Sequence, residues 1–163
     1  MEIPYDEEFT RDWDWYAADS KGLIGHFTSA GFRQLPSSIR ADLEATEACL
    51  EYFERGAKLR CGYTVSEDLE SHVGTFPNPD KRERYLRSFI QMASKGLYSF
   101  DTKPLWTGPG FYLLVARPDL PLRLDTLPLS IAEIVRKTRY PLSFENALRI
   151  EESETHQWSD MIS

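Results

Sequence analysis

Histidines and carboxylates are the side chains in this sequence whose types could carry acid–base chemistry. The histidines are His26, His72 and His156, and none has another His or Cys close by in sequence. Metal sites need clustered ligands of this kind, so we expect neither a bound metal nor another cofactor. His26 lies in an apolar run typical of a strand. We therefore consider it either as an acid–base group or as a packed sheet residue.

The other candidates for catalysis are weaker. The sequence lacks the Gly-x-Ser-x-Gly, Gly-x-x-x-x-Gly-Lys and Gly-x-Gly-x-x-Gly motifs. Cys49 is close to acidic residues, and nearby negative charge raises a thiol pKa, so we interpret it as a core cysteine. Asp12 and Asp14 share one face of a strand, whereas glycosidase chemistry needs carboxyl groups that face each other across a cleft. We predict no catalytic residue.

A row of acidic residues is more informative. Its members recur at spacings of three and four residues, one step round a helix from an apolar stripe: Glu44, Glu47, Glu51 and Glu54. Carboxylates at this spacing repel one another by roughly a few tenths of a kcal/mol per pair. The row is either a solvated helix face or a surface kept acidic to meet a basic partner.

Two other parts of the chain bear on these alternatives. N-terminal acids, Asp12 and Asp14 among them, would add to the acidic field if the N-terminal hairpin packs beside the helix. Conversely, the basic segment 81–95, with Lys81, Arg82 and Arg84, could pair with the glutamates within the fold. The sequence leaves both arrangements open.

Charge and composition exclude several classes of protein. The 163 residues carry a net charge of −7, which disfavours a nucleic-acid binder because such affinity comes mainly from Lys and Arg. Hydrophobic residues make up 41% of the chain, a globular proportion, yet no run reaches the length of a membrane span. Two cysteines are too few for a secreted disulfide scaffold, and the start is acidic rather than signal-like. We expect a cytoplasmic protein that binds no membrane.

Alternation and turn chemistry predict the elements that would position these residues. Residues 12–18 alternate, residues 19–22 have turn chemistry, and residues 23–28 form a return strand, which together predict a β-hairpin. Apolar spacing predicts a continuous helix over 37–56, and the Asn78-Pro79 start predicts a second helix to residue 95.

The rest of the chain predicts shorter elements. Residues 97–100 and 111–116 are predicted strands, 122–124 a short edge strand, 130–139 a third, shorter helix and 143–150 a last strand. The ends, 1–10 and 152–163, are candidates for fraying, although Trp158 could dock the second. We predict one compact α+β domain over 1–163, with a largely antiparallel sheet that the N-terminal hairpin opens.

The run DWDWYAADSKGLIGHFTSAG at residues 12–31 resembles the opening of a group of small uncharacterised bacterial proteins. Residues 96–101 (GLYSFD), 116–118 (ARP) and 121–124 (PLRL) are similar to later parts of the same group. Small acidic proteins of this type are often immunity proteins, which neutralise toxins in competition between bacteria. The resemblance implies a fold more than a function, because its motifs specify turns and strands.

These observations favour a non-enzymatic acidic protein, an immunity-type inhibitor that occludes a basic toxin domain. We expect the four glutamates, Asp12, Asp14 and the loop residue Trp106 to contact the partner. An alternative is an enzyme or small-ligand binder, which predicts a deep pocket lined by His26 and a second titratable group. A third is a subunit of a larger assembly, which predicts an exposed apolar patch around Trp106.

Overall fold

The N-terminal hairpin is formed as predicted. Its strands, β1 (Asp14–Ala18) and β2 (Ile24–Thr28), pair antiparallel with Trp15 opposite Phe27. The Asp19 carboxylate holds the turn by accepting hydrogen bonds from the backbone N–H groups of Lys21 and Leu23, each at 2.8 Å. Two-residue alternation along both strands therefore decides which side chains lie on each face of the sheet.

The structure is a computed structural model that describes residues 1–103 and 109–161. Within these ranges the remaining strands are β3 (Tyr63–Val65), β4 (Tyr98–Lys103), β5 (Phe111–Pro118) and β6 (Arg149–Glu151). The order is β1-β2-β4-β5-β3, and β6 also pairs with β5. The β2–β4 pair is parallel and the others are antiparallel, so the α+β fold with a largely antiparallel sheet is confirmed.

The helices, in chain order, are α1 (Tyr5–Glu8), α2 (Ser37–Arg40), α3 (Leu43–Glu51), α4 (Leu69–Val73), α5 (Pro79–Ser94), α6 (Leu129–Val135) and α7 (Glu152–Thr155). A π-helical turn, Tyr52–Gly56, extends α3, and 3-10 turns cover Leu124–Thr126, Phe144–Asn146 and Trp158–Met161. Helices α2 to α5 lie in the long connection that a parallel β2–β4 pair requires.

Each face of the sheet is covered by its own core. One face presents Trp15, Phe27 and Phe100 to a cluster that the N-terminal segment and the C-terminal residues complete. The opposite face presents Tyr16 and Ile24 to α3, α5 and α6, with a satellite cluster under α4 and α5. Because both faces are buried, alternating residues of the hairpin contribute to different cores.

The first main helix is interrupted, which corrects the prediction of one continuous helix over 37–56. Asp42 is extended (φ −143°, ψ 94°) and its carboxylate accepts a hydrogen bond from the backbone N–H of Ala45. The Leu43 N–H donates to the Met1 carbonyl at 2.6 Å, and the Ile3 N–H donates to the Arg40 carbonyl at 2.8 Å. The side-chain cap and the N-terminal segment together replace the hydrogen bonds of a continuous helix.

The second and third helices agree with the sequence. Asn78 caps α5 by accepting from the backbone N–H of Lys81 at 2.9 Å, and Pro79 occupies the first turn. Gly96 follows with φ +100°, a conformation that favours glycine and that ends the helical region. The shorter α6 begins one residue before the range predicted for it, 130–139, and ends four residues before the end of that range.

Two of the predicted strands differ from the expectation. Residues 122–124 make a single bridge, Leu23 with Arg123, because the chain turns into a 3-10 helix at Leu124. Of residues 143–150, only the end joins β6, since Ser143 caps a 3-10 turn.

Each end of the chain holds buried side chains among the described residues. Ile3 and Glu8 are each 2% exposed and Trp158 is 1% exposed. The Trp158 ring lies 5.1 Å from that of Tyr140 and 5.7 Å from that of Phe27, so a large apolar side chain anchors the C-terminal segment.

Among the helices that the structure describes, none combines the length and apolar character needed to cross a membrane.

Candidate functional site

The row of glutamates lies along α3 and its π-helical extension, and all four side chains are exposed: Glu44, Glu47, Glu51 and Glu54. Local cations partly balance the row. The amino group of Met1 lies 2.8 Å from Glu44, Arg11 lies 3.5 Å from Glu47 and Arg55 lies 3.5 Å from Glu51. Solvent screens ion pairs this exposed, and the carboxylates that form them stay accessible.

The N-terminal segment extends the acidic region beyond the row. It lies against α2 and α3 through the backbone hydrogen bonds of Met1 and Ile3. Within the described part of the chain, its exposed carboxylates Glu2, Asp6 and Glu7 have no ion-pair partner. We call this region the acidic surface, and it comprises Glu2, Asp6, Glu7, Glu44, Glu47, Glu51 and Glu54.

The basic segment 81–95 does not cover the acidic surface. Helix α5 packs on β4 and β5, and Arg82 forms an ion pair with Glu70 at 3.4 Å. Lys95, at the end of α5, contacts the π-helical turn, where its ammonium donates to the carbonyls of Phe53 and Glu54 at 2.6 and 2.8 Å. No ion pair among the described residues joins α5 to a glutamate of the row.

A groove of about 620 Å³ borders the acidic surface, and the sequence analysis did not identify it. The rings of Tyr5 and Phe9 line it, with centroids 5.0 Å apart, and Tyr5 is 78% exposed. Arg40 and the buried Glu8 also line the groove, with 3.6 Å between guanidinium and carboxylate. The helical spacing of Tyr5 and Phe9 was the available signal in the sequence.

His26 is at the centre of a buried polar cluster. Its Nδ1 lies 2.7 Å from the Ser99 hydroxyl and its Nε2 lies 3.2 Å from the Asp14 carboxylate. Because a carboxylate can only accept, Nε2 carries a proton, and in the neutral ring Nδ1 accepts from Ser99. The rings of Tyr16 and Phe89 close over the imidazole, with centroids 5.5 and 6.4 Å away.

A second polar group adjoins this cluster on the same face of the sheet. Asp101 accepts hydrogen bonds from the Tyr85 hydroxyl at 2.6 Å and from the Thr28 hydroxyl at 3.1 Å. The Lys103 ammonium lies 3.5 Å from the same carboxylate. Alternation along β4 places Ser99, Asp101 and Lys103 on one face of the sheet, so the sequence contained the signal for these neighbouring polar side chains.

The Ser99–His26–Asp14 arrangement resembles a nucleophile, base and orienting acid, but its nucleophile is closed to substrate. Ser99 is 0% exposed and His26 is 1% exposed. Nucleophilic catalysis requires that a reacting atom reach the hydroxyl. The pairing of His26 with a carboxylate agrees with the enzyme alternative. However, that alternative requires an open pocket, and His26 and Ser99 are both buried.

The remaining predicted contact residues have different surroundings. Asp14 is engaged by His26 and its side chain is 28% exposed, so it is a structural residue rather than a free surface carboxylate. Asp12 is exposed and accepts a hydrogen bond from the backbone N–H of Ala30 at 2.8 Å. Trp106, and with it the apolar patch expected of an assembly subunit, lies outside the described residues. In residues 1–103 and 109–161, no group of three or more His, Cys, Asp or Glu side chains could hold a metal ion.

Comparison of the chain with protein-family models, with curated proteins and with solved structures found no match. The resemblance to immunity-type proteins therefore stays a prediction.

Proposed function

We propose that this protein is a non-enzymatic binding protein whose acidic surface covers a basic region of a protein partner, as an immunity-type inhibitor covers a toxin domain. The observation that carries the proposal is the exposure of all four glutamates of the row beside a second set of exposed carboxylates, Glu2, Asp6 and Glu7. Such a surface steers a basic partner and raises the association rate. A nuclease toxin fits this charge logic, because its substrate site must be basic.

Two further features support a binding role. The basic helix α5, which could have neutralised the glutamates, packs elsewhere on the sheet. In addition, the polar cluster most similar to a catalytic site is enclosed by α5 and the hairpin, so its groups serve the fold. An enzyme acting through His26 is therefore the less favoured alternative.

Co-expression tests the proposal directly. Each gene product encoded beside this protein that arrests growth is expressed with and without the chain, and complex formation is then measured with the purified pair. We expect one toxic product to be neutralised through a stable complex. Normal arrest by every such product in the presence of the chain would contradict the proposal.

Charge reversal tests the role of the acidic surface in that complex. Glu47→Lys with Glu51→Lys is expected to lower the association rate constant about tenfold or more at low salt. This loss in the association rate constant should be smaller in 0.5 M salt, because the shorter Debye length screens the exposed charges. Glu67→Lys with Glu83→Lys makes the same charge change at exposed positions outside the acidic surface and is the matched control. Equal effects of the two pairs would remove the acidic surface from the interface.

A further inference from the structure

The groove beside the acidic surface combines three features that the glutamate row lacks. It has a volume of about 620 Å³, it presents the exposed Tyr5 ring beside the half-buried Phe9 ring, and it holds the buried carboxylate of Glu8. Tyr5 is among the most exposed large side chains of the described residues, whereas most aromatic residues of the chain lie in the two cores. An exposed tyrosine next to a concave surface is typical of the anchor point of an interface.

The charges in the groove favour a cationic occupant. Glu8 is 2% exposed, accepts a hydrogen bond from the Leu35 N–H at 2.9 Å, and lies 3.6 Å from Arg40. Arg40 is therefore balanced within the groove wall. Glu2 also lines the groove and has no ion-pair partner in the described part of the chain. The unbalanced charge at the mouth is consequently negative, and the adjoining acidic surface would repel an anion.

We propose that the groove binds the guanidinium group of an arginine that the basic partner presents, stacked on Tyr5 and Phe9 and paired with Glu2. The inference rests on the proposed function, since it assigns the anchor point of the same partner. A guanidinium fits better than an ammonium because it is planar, weakly hydrated and able to stack on a ring while donating to a carboxylate.

The same chemistry occurs elsewhere among the residues that the structure describes, and two examples are exposed. The Arg11 guanidinium lies 3.9 Å from the centroid of the Trp13 ring and forms an ion pair with Glu47. The Arg149 guanidinium lies 3.6 Å from the centroid of the Phe111 ring and 2.8 Å from Glu151. Both examples place an arginine between an aromatic face and an exposed carboxylate, as the proposed anchor does.

Peptide titration followed by NMR tests this anchor without a known partner. The probes are hexaarginine, hexalysine and hexacitrulline. Comparing them separates the effect of a planar side-chain group from the effect of its positive charge. We expect hexaarginine to shift the ring resonances of Tyr5 and Phe9, and hexalysine to bind at least about threefold more weakly. Hexacitrulline, which keeps the shape but not the charge, should not bind measurably.

Tyr5→Leu keeps an apolar side chain but removes the ring. We expect it to weaken hexaarginine binding about three- to tenfold. Tyr63→Leu is the matched control, because Tyr63 is an exposed tyrosine on β3, away from the groove. Both variants should keep the circular dichroism spectrum of the parent protein, since both tyrosines are exposed.

The outcomes separate this inference from the proposed function. Unshifted Tyr5 and Phe9 resonances, equal affinity for hexaarginine and hexalysine, or equal binding by Tyr5→Leu would each overturn the anchor. If Tyr5→Leu instead neutralises the toxic partner as well as the parent protein does, the acidic surface stands and the anchor is rejected. If Tyr5→Leu weakens peptide binding but the parent protein neutralises no toxic gene product, the anchor stands and the proposed function is rejected.

Discussion

The imidazole of His26 and the hydroxyl of Ser99 lie 2.7 Å apart although 73 residues separate them in the chain. They meet because β2 and β4 are parallel neighbours in which His26 is in register with Ser99. Asp14, on the adjacent strand, completes the arrangement from the other side of the ring. The contact of His26 with Ser99 therefore ties the hairpin to the neighbouring strand β4, whereas its contact with Asp14 lies within the hairpin.

Ser99→Ala is expected to lower the free energy of unfolding by about 1–3 kcal/mol, because it leaves a buried imidazole nitrogen without a partner. Urea unfolding measures the change. Ser88→Ala, at an exposed position of α5, is the matched control and should stay within about 0.5 kcal/mol of the parent. Equal stability of the two variants would contradict the assignment of His26 to a structural network.

Two Tyr→Phe substitutions are expected to differ in their effect on the free energy of unfolding. Tyr85→Phe removes a hydroxyl that donates to Asp101 at 2.6 Å, and should destabilise the protein by about 1.5–3 kcal/mol as a bond to a charged group. Tyr16→Phe removes a buried hydroxyl that has no hydrogen-bond partner in the described structure, and should be neutral or stabilising. Thermal unfolding of both variants measures the contrast, and a loss at Tyr16 as large as that at Tyr85 would show that Tyr16 has a partner.

Alkaline pH is expected to destabilise the fold. Burial raises the pKa of the Tyr98 phenol to about 12, raises the pKa of the Cys49 thiol to about 12, and raises the pKa of Tyr112. Groups whose pKa is higher in the folded state bind protons more tightly there, and this stabilises the fold. Their contribution to the free energy of unfolding is complete below the pKa values of the unfolded state, about pH 9–10, and is lost as the pH rises towards about 12. Urea unfolding between pH 7 and pH 11 should show this decline, and a stability that holds constant across the range would argue that these groups ionise freely in the native protein.

Glu152→Ala is expected to be strongly destabilising. Its carboxylate lies 3.1 Å from the guanidinium of Arg33, which is 1% exposed, and it also accepts from the Gln34 N–H. The substitution removes one partner of this buried guanidinium, and breaking a buried ion pair costs about 3–5 kcal/mol. Glu151→Ala breaks only the exposed pair with Arg149 and is the matched control, with an expected loss of about 0–1 kcal/mol. Similar unfolding curves for the two variants would show that the Arg33 pair adds nothing.

The sequence by itself determined the elements whose signals are local. Two-residue alternation and a turn with Asp19 and Gly22 are sufficient for the hairpin, and the Asn78 cap with Pro79 is sufficient for the start of α5. The exposed row of glutamates also followed from sequence, because a helix with an apolar stripe leaves the neighbouring positions in solvent.

Only the tertiary structure decided the features that depend on distant segments. The first helix is interrupted because the Met1 and Ile3 backbone supplies hydrogen bonds at the break. His26 is enclosed because β4 brings Ser99 beside it, and the C-terminal segment is anchored because Trp158 finds an aromatic core built from both ends of the chain. The groove at Tyr5 exists because α1 packs near Arg40. Local patterns carry no information about such partners, since chain topology alone decides which distant residues become neighbours.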